Sequence, residues 1–206
     1  MQLIGMLDSP FVRRVAISMK LMGLPFEHHP VSVFRNFDRF KTINPVVKAP
    51  TLVCDDGEIM MDSTLILGYL EELAGTEKSL MPAGGEPRRK ALQLIGLGLT
   101  ACEKTVQIVY ERDLRPAEKR HEPWLERVTG QLNAAFSELE KGAGQAAARP
   151  WLIGSSLGQA DITLAVAWRF TEFAITGVID ATKYPAIAAF SARAEALPEF
   201  RSTPLE

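Results

Sequence analysis

Short strand-like and longer helix-like patterns alternate along the first 75 residues, and this alternation limits the possible folds more than any other feature. Gln2–Met6 has the pattern of a short buried strand. Pro10 suits the first turn of a helix, where no backbone N–H is needed, and Gly23 suits its end. A second strand lies within Leu24–Val33. Together these segments predict a β-α-β unit, whose two strands would be parallel.

A hairpin and a further helix complete this first segment. Phe34–Asn44 is basic and aromatic, and we predict a loop with a short helix there. Asp55-Asp56-Gly57 is a hairpin turn signal between the short strands Pro50–Cys54 and Ile59–Met61. Ser63 is predicted to cap a helix whose apolar positions repeat at helical spacing. The predicted order is therefore β-α-β-α-β-β-α.

The rest of the chain is helical in pattern and predicts a second domain. Thr76–Gly85 is a polar stretch with Pro and Gly, typical of a linker. The predicted helices are Glu86–Arg112, Glu118–Lys141, Gln159–Phe173 and Ala186–Ala196, with a small-residue loop at Gly142–Ala148. Gln159–Phe173 is apolar nearly all round, which indicates a helix buried at a domain centre. We predict an α/β domain at residues 1–75, a linker at 76–85 and an all-α domain at 86–206.

Composition narrows the class of protein. The formal charge of −2 gives no electrostatic reason to expect nucleic acid or an anionic membrane as a partner. No apolar run approaches the roughly 18 residues of a membrane span, and the first residues lack the pattern of a signal peptide. The two cysteines, Cys54 and Cys102, form no C-x-x-C pair, and no metal-ligand spacing is present. We expect a cytoplasmic protein without a metal.

The first chemical signal is Ser9-Pro10, where a strand gives way to a helix. A side chain at a helix N-terminus faces unpaired N–H groups and the positive end of the helix dipole, which favour an anion. The Ser9 hydroxyl could also donate a hydrogen bond to a bound thiolate. By itself the pair is the pattern of an ordinary helix cap, since Ser before Pro is a common helix start.

Two further signals follow in the same domain. Pro50 opens a strand, and a cis Ala49–Pro50 bond would leave the Ala49 backbone free to pair with a peptide ligand; a trans proline on an edge strand is the alternative. Asp62-Ser63 enters a helix. There the Ser63 hydroxyl and first-turn amides could hold a carboxylate, and the Asp62 carboxylate an ammonium. Capping alone is the alternative for this pair.

The order and spacing of these signals resemble the cytosolic glutathione S-transferase family, and the first motif looks most like bacterial and serine-type members. The resemblance covers essentially the whole chain. It implies a thioredoxin-like N-terminal domain followed by a helical-bundle domain. The residues that carry it are Ser9-Pro-Phe-Val-Arg-Arg-Val15, Asn44-Pro45, Lys48-Ala49-Pro50-Thr-Leu52, Asp62-Ser63-Thr-Leu-Ile-Leu-Gly-Tyr69-Leu70-Glu71 and Ala160-Asp161-Ile162.

The resemblance also implies roles for single residues. Ser9 would donate a hydrogen bond to the glutathione sulfur, and Ala49, before a cis Pro50, would pair its backbone with the cysteinyl unit. Asp62 and Ser63 would hold the γ-glutamyl end. The candidates for the glycyl side are Lys48, Arg35, Arg39 and Lys41.

Two positions depart from the usual family pattern. Gly158 stands where Ser or Thr usually caps the helix, and we expect Asp161 to reach back to its N–H. Val46 stands where Gly is common, which predicts a slightly different loop.

The implied function is the activation of glutathione as a thiolate and its addition to a small hydrophobic electrophile, in a homodimer. A glutathione-dependent isomerase, dehalogenase or peroxidase on the same site, or a non-catalytic binding protein, is the alternative. The candidate positions for the electrophile pocket are Leu7, Phe11, Ala101, Thr105 and Ile108. Core packing or subunit contact explains these positions equally well.

Overall fold

The structure, a computed structural model, describes residues 1–205. The chain folds into two compact units, which are described in turn. The first unit consists of residues 1–83 together with the segment from Leu197 onward. The second unit is Gly84–Ala196. The predicted all-α segment at 86–206 therefore does not fold as one body, because its last residues pack with the first unit.

The secondary structure has four strands and eight α-helices in the described residues. The strands are β1 (Gln2–Ile4), β2 (Glu27–His29), β3 (Thr51–Val53) and β4 (Ile59–Met61). The helices are α1 (Pro10–Met22), α2 (Phe37–Ile43), α3 (Ser63–Ala74), α4 (Gly85–Val109), α5 (Glu122–Gln145), α6 (Gln159–Ala174), α7 (Pro185–Glu195) and α8 (Pro198–Arg201). The predicted order of strands and helices in the first unit is confirmed.

One mixed sheet organises the first unit. Its strand order is β2-β1-β3-β4. The β1–β2 pair is parallel, as the β-α-β pattern predicted, and the other two pairs are antiparallel. In register, Leu3 lies opposite His28 on one side and Leu52 on the other.

Apolar side chains cover both faces of this sheet, because neighbouring residues of a strand point to opposite faces. Leu3 belongs to the larger core cluster, which packs against α1 and α3. Ile4, the next residue, belongs to a smaller cluster with Val31 and with Phe40 of α2. Helix α1 ends where predicted, at Gly23, whose φ of 69° is left-handed.

The second unit is built around α6. Residues along this helix are buried over nearly its whole length, as its all-round apolar pattern predicted. Trp168 of α6 lies edge-on to Phe136 of α5, with ring centroids 5.2 Å apart. Asp161 accepts a hydrogen bond from the Gly158 N–H at 2.8 Å. The predicted hydrogen bond across the first turn of α6 is therefore confirmed.

Two boundaries in the second unit differ from prediction. Helix α4 widens at its end into a π-helix at Tyr110–Leu114. The buried Glu111 carboxylate fixes the segment that follows, since it accepts from the Arg115 Nε and from the His121 N–H, both at 2.8 Å. Helix α5 runs on to Gln145, into the predicted small-residue loop.

Within residues 1–205, no helix combines the length and apolar character that crossing a membrane would require.

Candidate functional site

The register of the sheet places the predicted motifs of the first unit at one edge. Ile4, at the end of β1, lies opposite Thr51, at the start of β3. Thr51 in turn lies opposite Met61, at the end of β4. The chain leaves β1 toward Ser9, enters β3 from Pro50 and leaves β4 toward Asp62-Ser63. All three motifs therefore adjoin the same end of the central strands.

Ser9 begins α1 by its backbone and not by its side chain. Its carbonyl accepts the first helical hydrogen bond, from the Arg13 N–H at 2.9 Å. Its side chain makes no capping hydrogen bond to the helix amides, and the residue is half-buried. The hydroxyl is therefore not used to satisfy the first turn of α1, as an ordinary serine cap would be.

The loop before β3 is held in shape by Asn44 and Thr51. The Asn44 side chain accepts from the Val46 N–H at 3.0 Å and donates to the Thr51 hydroxyl at 2.9 Å. That hydroxyl donates to the Lys48 carbonyl at 2.7 Å. The Ala49–Pro50 bond that follows is cis, as predicted.

Gly5 allows this loop to approach α1, and sequence reasoning missed it. Its φ of 138° favours glycine. A Cβ at this position would lie 2.6 Å from Val12 Cγ2 and 3.1 Å from Ala49 Cβ. Any side chain here would push the Ala49 loop away from α1. A glycine directly after a buried strand was the available signal.

Asp62, rather than Ser63, is the cap of α3. Its Oδ1 accepts from the Thr64 N–H at 2.9 Å, and its φ of 72° is in the left-handed region. Lys48 Nζ lies 3.7 Å from the other oxygen, Oδ2. Ser63 is the first helical residue and is buried. The sequence placed the helix start one residue late, because both residue types are good caps.

Arg14 links α1 to the start of α3, and sequence reasoning missed this residue too. Its side chain is only 2% exposed. Its Nη1 donates to Ser63 Oγ at 3.1 Å and to Thr64 Oγ1 at 3.3 Å. Because Ser63 accepts from Arg14, its own hydroxyl hydrogen remains available for another acceptor. A charged residue in the apolar pattern of α1 was the signal.

Asp8 places a carboxyl next to Ser9. Burial raises the pKa of Asp8, while the Arg35 charge and a hydrogen bond from the Ser9 backbone N–H oppose that rise. The Arg35 charge therefore acts on Asp8, the neighbour of Ser9. Arg35 and the other basic candidates of this region, Arg39 and Lys41, are all exposed.

The residues proposed for an electrophile pocket are mostly interior. Leu7 belongs to the core of the first unit. In the second unit Ala101, Thr105 and Ile108 are fully buried, and the Thr105 hydroxyl bonds that of Thr171 at 2.8 Å. Their burial fits the alternative interpretation, that these are core residues. Phe11 is partly exposed.

The fold and this edge of the sheet define a class: a thioredoxin-like α/β domain joined to a helical unit. Comparison with protein families gives the same result. Residues 3–78 match the glutathione S-transferase N-terminal domain, and residues 122–193 match the glutathione S-transferase C-terminal domain. The chain belongs to the glutathione S-transferase family.

The individual relatives are distant in sequence, but the similarity extends over most of each chain. The maleylacetoacetate isomerase of Pseudomonas aeruginosa is 27% identical over 161 residues, which are 73% of this chain and 72% of that protein. A glutathione transferase family member from Pseudomonas fluorescens Pf-5, solved with bound glutathione, superposes with a TM-score of 0.86 at 25% identity, covering 100% of this chain and 98% of that one. A glutathione S-transferase from Methylobacterium radiotolerans, solved with glutathione sulfonate, gives 0.87 at 26%, covering 98% and 93%.

Proposed function

We propose that this protein binds glutathione, stabilises its thiolate with the Ser9 hydroxyl, and adds that thiolate to a small electrophile. The observation that carries the proposal is the common edge of the sheet. It brings together a helix-starting hydroxyl not used as a cap, a cis Ala49–Pro50 bond and the start of α3. The solved relatives with bound glutathione or glutathione sulfonate support the same ligand.

Each part of glutathione has a chemical partner in this arrangement. The Ala49 backbone would pair with the cysteinyl unit as a short strand does. The Asp62 carboxylate would hold the γ-glutamyl ammonium, while the Ser63 hydroxyl and the first amides of α3 would hold its carboxylate. Lys48, whose Nζ lies 3.7 Å from Asp62 Oδ2, is a candidate for the glycyl side.

The energy required for activation is modest. A free thiol with a pKa near 8.5 is only a few per cent ionised at neutral pH, and the thiolate is the nucleophile. Lowering that pKa by about two units needs roughly 2.7 kcal/mol of preferential thiolate stabilisation. A charge-assisted hydrogen bond from Ser9 supplies most of this, and the N-terminus of α1 adds to it.

Isomerisation is the second candidate reaction, and the Pseudomonas aeruginosa isomerase supports it. A thiolate that adds reversibly to an unsaturated substrate and leaves again would use the same groups. Dehalogenation and peroxide reduction also need only a positioned thiolate. A purely non-catalytic role is less well supported, because a binding module has no need of Asp62-Ser63 beside a cis proline.

We further propose a cytoplasmic homodimer. Large apolar side chains of the first unit stand exposed on the edge strand β4 and on α3, which packs against it. These are Ile59, Met61, Leu65 and Leu73. Exposed apolar side chains grouped in this way mark a surface for association.

The direct test has two parts. Retention on immobilised glutathione, with elution by free glutathione, tests binding; failure to bind at neutral pH would sink the proposal. A panel of electrophiles, unsaturated diacids and peroxides, each assayed with and without glutathione, then separates conjugation from isomerisation, dehalogenation and peroxide reduction. Turnover of every substrate at the rate of free glutathione would leave only the binding role.

A further inference from the structure

The proposed glutathione site of the first unit contains an ion pair of its own. Lys48 Nζ lies 3.7 Å from Asp62 Oδ2, and both side chains are about half exposed. The other carboxylate oxygen, Oδ1, accepts a hydrogen bond from the Thr64 N–H at 2.9 Å. In the free protein, both oxygens of the carboxylate proposed to hold an ammonium therefore already have a partner. One of these partners is itself an ammonium.

The backbone at both ends of this ion pair is strained. Among the described residues other than glycine, only Val47 and Asp62 have a positive φ, of 52° and 72°. Such a φ is costly for a β-branched residue and persists only where the surrounding structure enforces it. The Val47 N–H donates to the Asn44 carbonyl at 2.9 Å, and the Val47 side chain packs against the smaller core cluster. The turn that carries Lys48 is therefore fixed by its own contacts.

The side chain of Lys48, in contrast to its backbone, can exchange partners. Lysine carries a compact charge on a flexible aliphatic stem. An ion pair between partly exposed side chains is weak, because water competes for both charges. A ligand that brings an ammonium for Asp62 and an anion for Lys48 keeps both charges paired. A ligand that brings only the ammonium must compete with Lys48 for the carboxylate.

From these contacts we infer that Lys48 occupies the ammonium subsite on Asp62 until glutathione binds, and that this exchange selects the co-substrate. On binding, the γ-glutamyl ammonium replaces Lys48 at Asp62 Oδ2, and the Lys48 ammonium moves to the glycyl carboxylate. The site thereby favours peptide thiols that carry both a free ammonium and a free terminal carboxylate. The inference rests on the proposed function, since it assigns a selective role to residues of that same site.

Calorimetric titration with glutathione and with its glycyl ethyl ester, at neutral pH and low ionic strength, tests this exchange. The ester keeps the thiol and the ammonium but has no glycyl charge. The unchanged protein should bind the ester about tenfold more weakly than glutathione, because Lys48 then has no new partner. Lys48→Met should bind the ester roughly two- to fivefold more tightly than the unchanged protein does, because no internal cation competes for Asp62.

Two further variants serve as controls. Lys48→Arg keeps the positive charge and should leave the ester as weakly bound as it is by the unchanged protein. Lys119→Met removes a positive charge at an exposed position of the second unit and should alter neither affinity. The thermal midpoint of Lys48→Met should stay close to that of the unchanged protein, because the Lys48 side chain is half exposed.

The sign of the change in ester binding separates this exchange from a simple contact. If Lys48 only held the glycyl carboxylate, Lys48→Met would weaken glutathione binding without improving ester binding. Ester affinity that is unchanged or lower in Lys48→Met, or equal affinities of the unchanged protein for both ligands, would overturn the inference and leave the proposed function intact. If the unchanged protein bound no glutathione, the proposed function would fail, and the inference with it.

Discussion

The guanidinium of Arg14 donates a hydrogen bond to the Ser63 hydroxyl at 3.1 Å across the interior of the first unit. This contact joins the helix that Ser9 begins to the helix that Asp62 caps. It fixes the Ser63 side chain from behind, so that the hydroxyl hydrogen can point toward a ligand carboxylate. Arg14 is thus a positioning residue for the proposed γ-glutamyl contact.

Arg14→Met should raise the KM for glutathione about tenfold, the equivalent of about 1.4 kcal/mol, with a smaller change in kcat. Ser63 would lose its fixed orientation while Ser9 stays in place. Steady-state kinetics at varied glutathione concentration measure the effect.

Arg13→Met is the matched control for that experiment. Arg13 is the neighbouring buried arginine of the same helix, but it binds the Thr203 carbonyl instead of Ser63. Both variants should lower the thermal midpoint, since each leaves buried acceptors unpaired. Only Arg14→Met should change the glutathione KM. Equal changes in both would show that Arg14 acts through stability alone.

The charge of Asp62 and its capping role can be separated by two substitutions. Asp62→Asn keeps a side-chain oxygen for the Thr64 N–H and tolerates the left-handed φ, but it loses the charge proposed to hold an ammonium. We expect this variant to lose retention on immobilised glutathione while its thermal midpoint changes little. Asp62→Ala should lose both, with a stability cost of about 1 kcal/mol or more. Tight binding by Asp62→Asn would argue against the ammonium contact.

The role of Ser9 can be measured through the pKa of bound glutathione. Ser9→Ala should raise that pKa by about one and a half units, because the thiolate loses a charge-assisted hydrogen bond. The measurement is the ultraviolet absorbance of the thiolate as a function of pH. Ser18→Ala is the control, since the Ser18 hydroxyl donates to the Arg14 carbonyl within α1 at 2.7 Å and has no part in the proposed glutathione contacts. An unchanged titration in Ser9→Ala would refute the proposed role.

Asp8→Asn should shift the same titration in the opposite direction. The carboxylate of Asp8 adjoins Ser9 and, when ionised, disfavours a second negative charge nearby. Removing it should lower the pKa of bound glutathione by roughly half a unit. Asp38→Asn, at an exposed position on α2, should leave that pKa unchanged.

The raised pKa of Asp161 predicts that the stability of the second unit depends on pH. Burial raises its pKa to about 6, although the N–H groups of Leu152 and Gly158 oppose that rise. At pH 5 the carboxyl is then protonated in the folded protein and ionised in the unfolded chain, so folding takes up a proton. The free energy of unfolding should fall as the pH rises from about 4 to about 6, by up to about 3 kcal/mol, and level off above that.

Urea denaturation of the unchanged protein and of Asp161→Asn across this pH range isolates that contribution. Asparagine does not titrate, so the difference in unfolding free energy between the two proteins should vary with pH in the same window. A constant difference from pH 4.5 to pH 7 would exclude Asp161 as the titrating group.

The proposed dimer predicts a mass change on altering α3. Leu65 is 65% exposed, so Leu65→Asp should cost the isolated chain little stability. In sedimentation equilibrium at micromolar concentration we expect the unchanged protein to be a dimer and Leu65→Asp to be largely monomeric. Phe173→Asp, at an exposed position in the last turn of α6, should stay dimeric. A monomeric unchanged protein would reject the proposal.

Local signals in the sequence determined most of the fold. Pro10 and Gly23 bounded α1, Asp55-Asp56-Gly57 marked the hairpin, and the all-round apolar pattern identified α6. Each depends on the conformational preference of a few neighbouring residues, which acts before any tertiary contact forms. The cis bond before Pro50 came from a family pattern rather than from such a preference.

Contacts between distant segments were decided only by the tertiary structure. Arg14 reaches Ser63 across 49 positions, and Gly5 makes room for Ala49. The C-terminal segment leaves the helical unit to pack on α1 through Arg13. Sequence periodicity shows which side of a helix is apolar, but not which partner satisfies a charge buried there. That partner depends on how the elements pack, because the cost of burying a guanidinium is offset only by acceptors brought close in three dimensions.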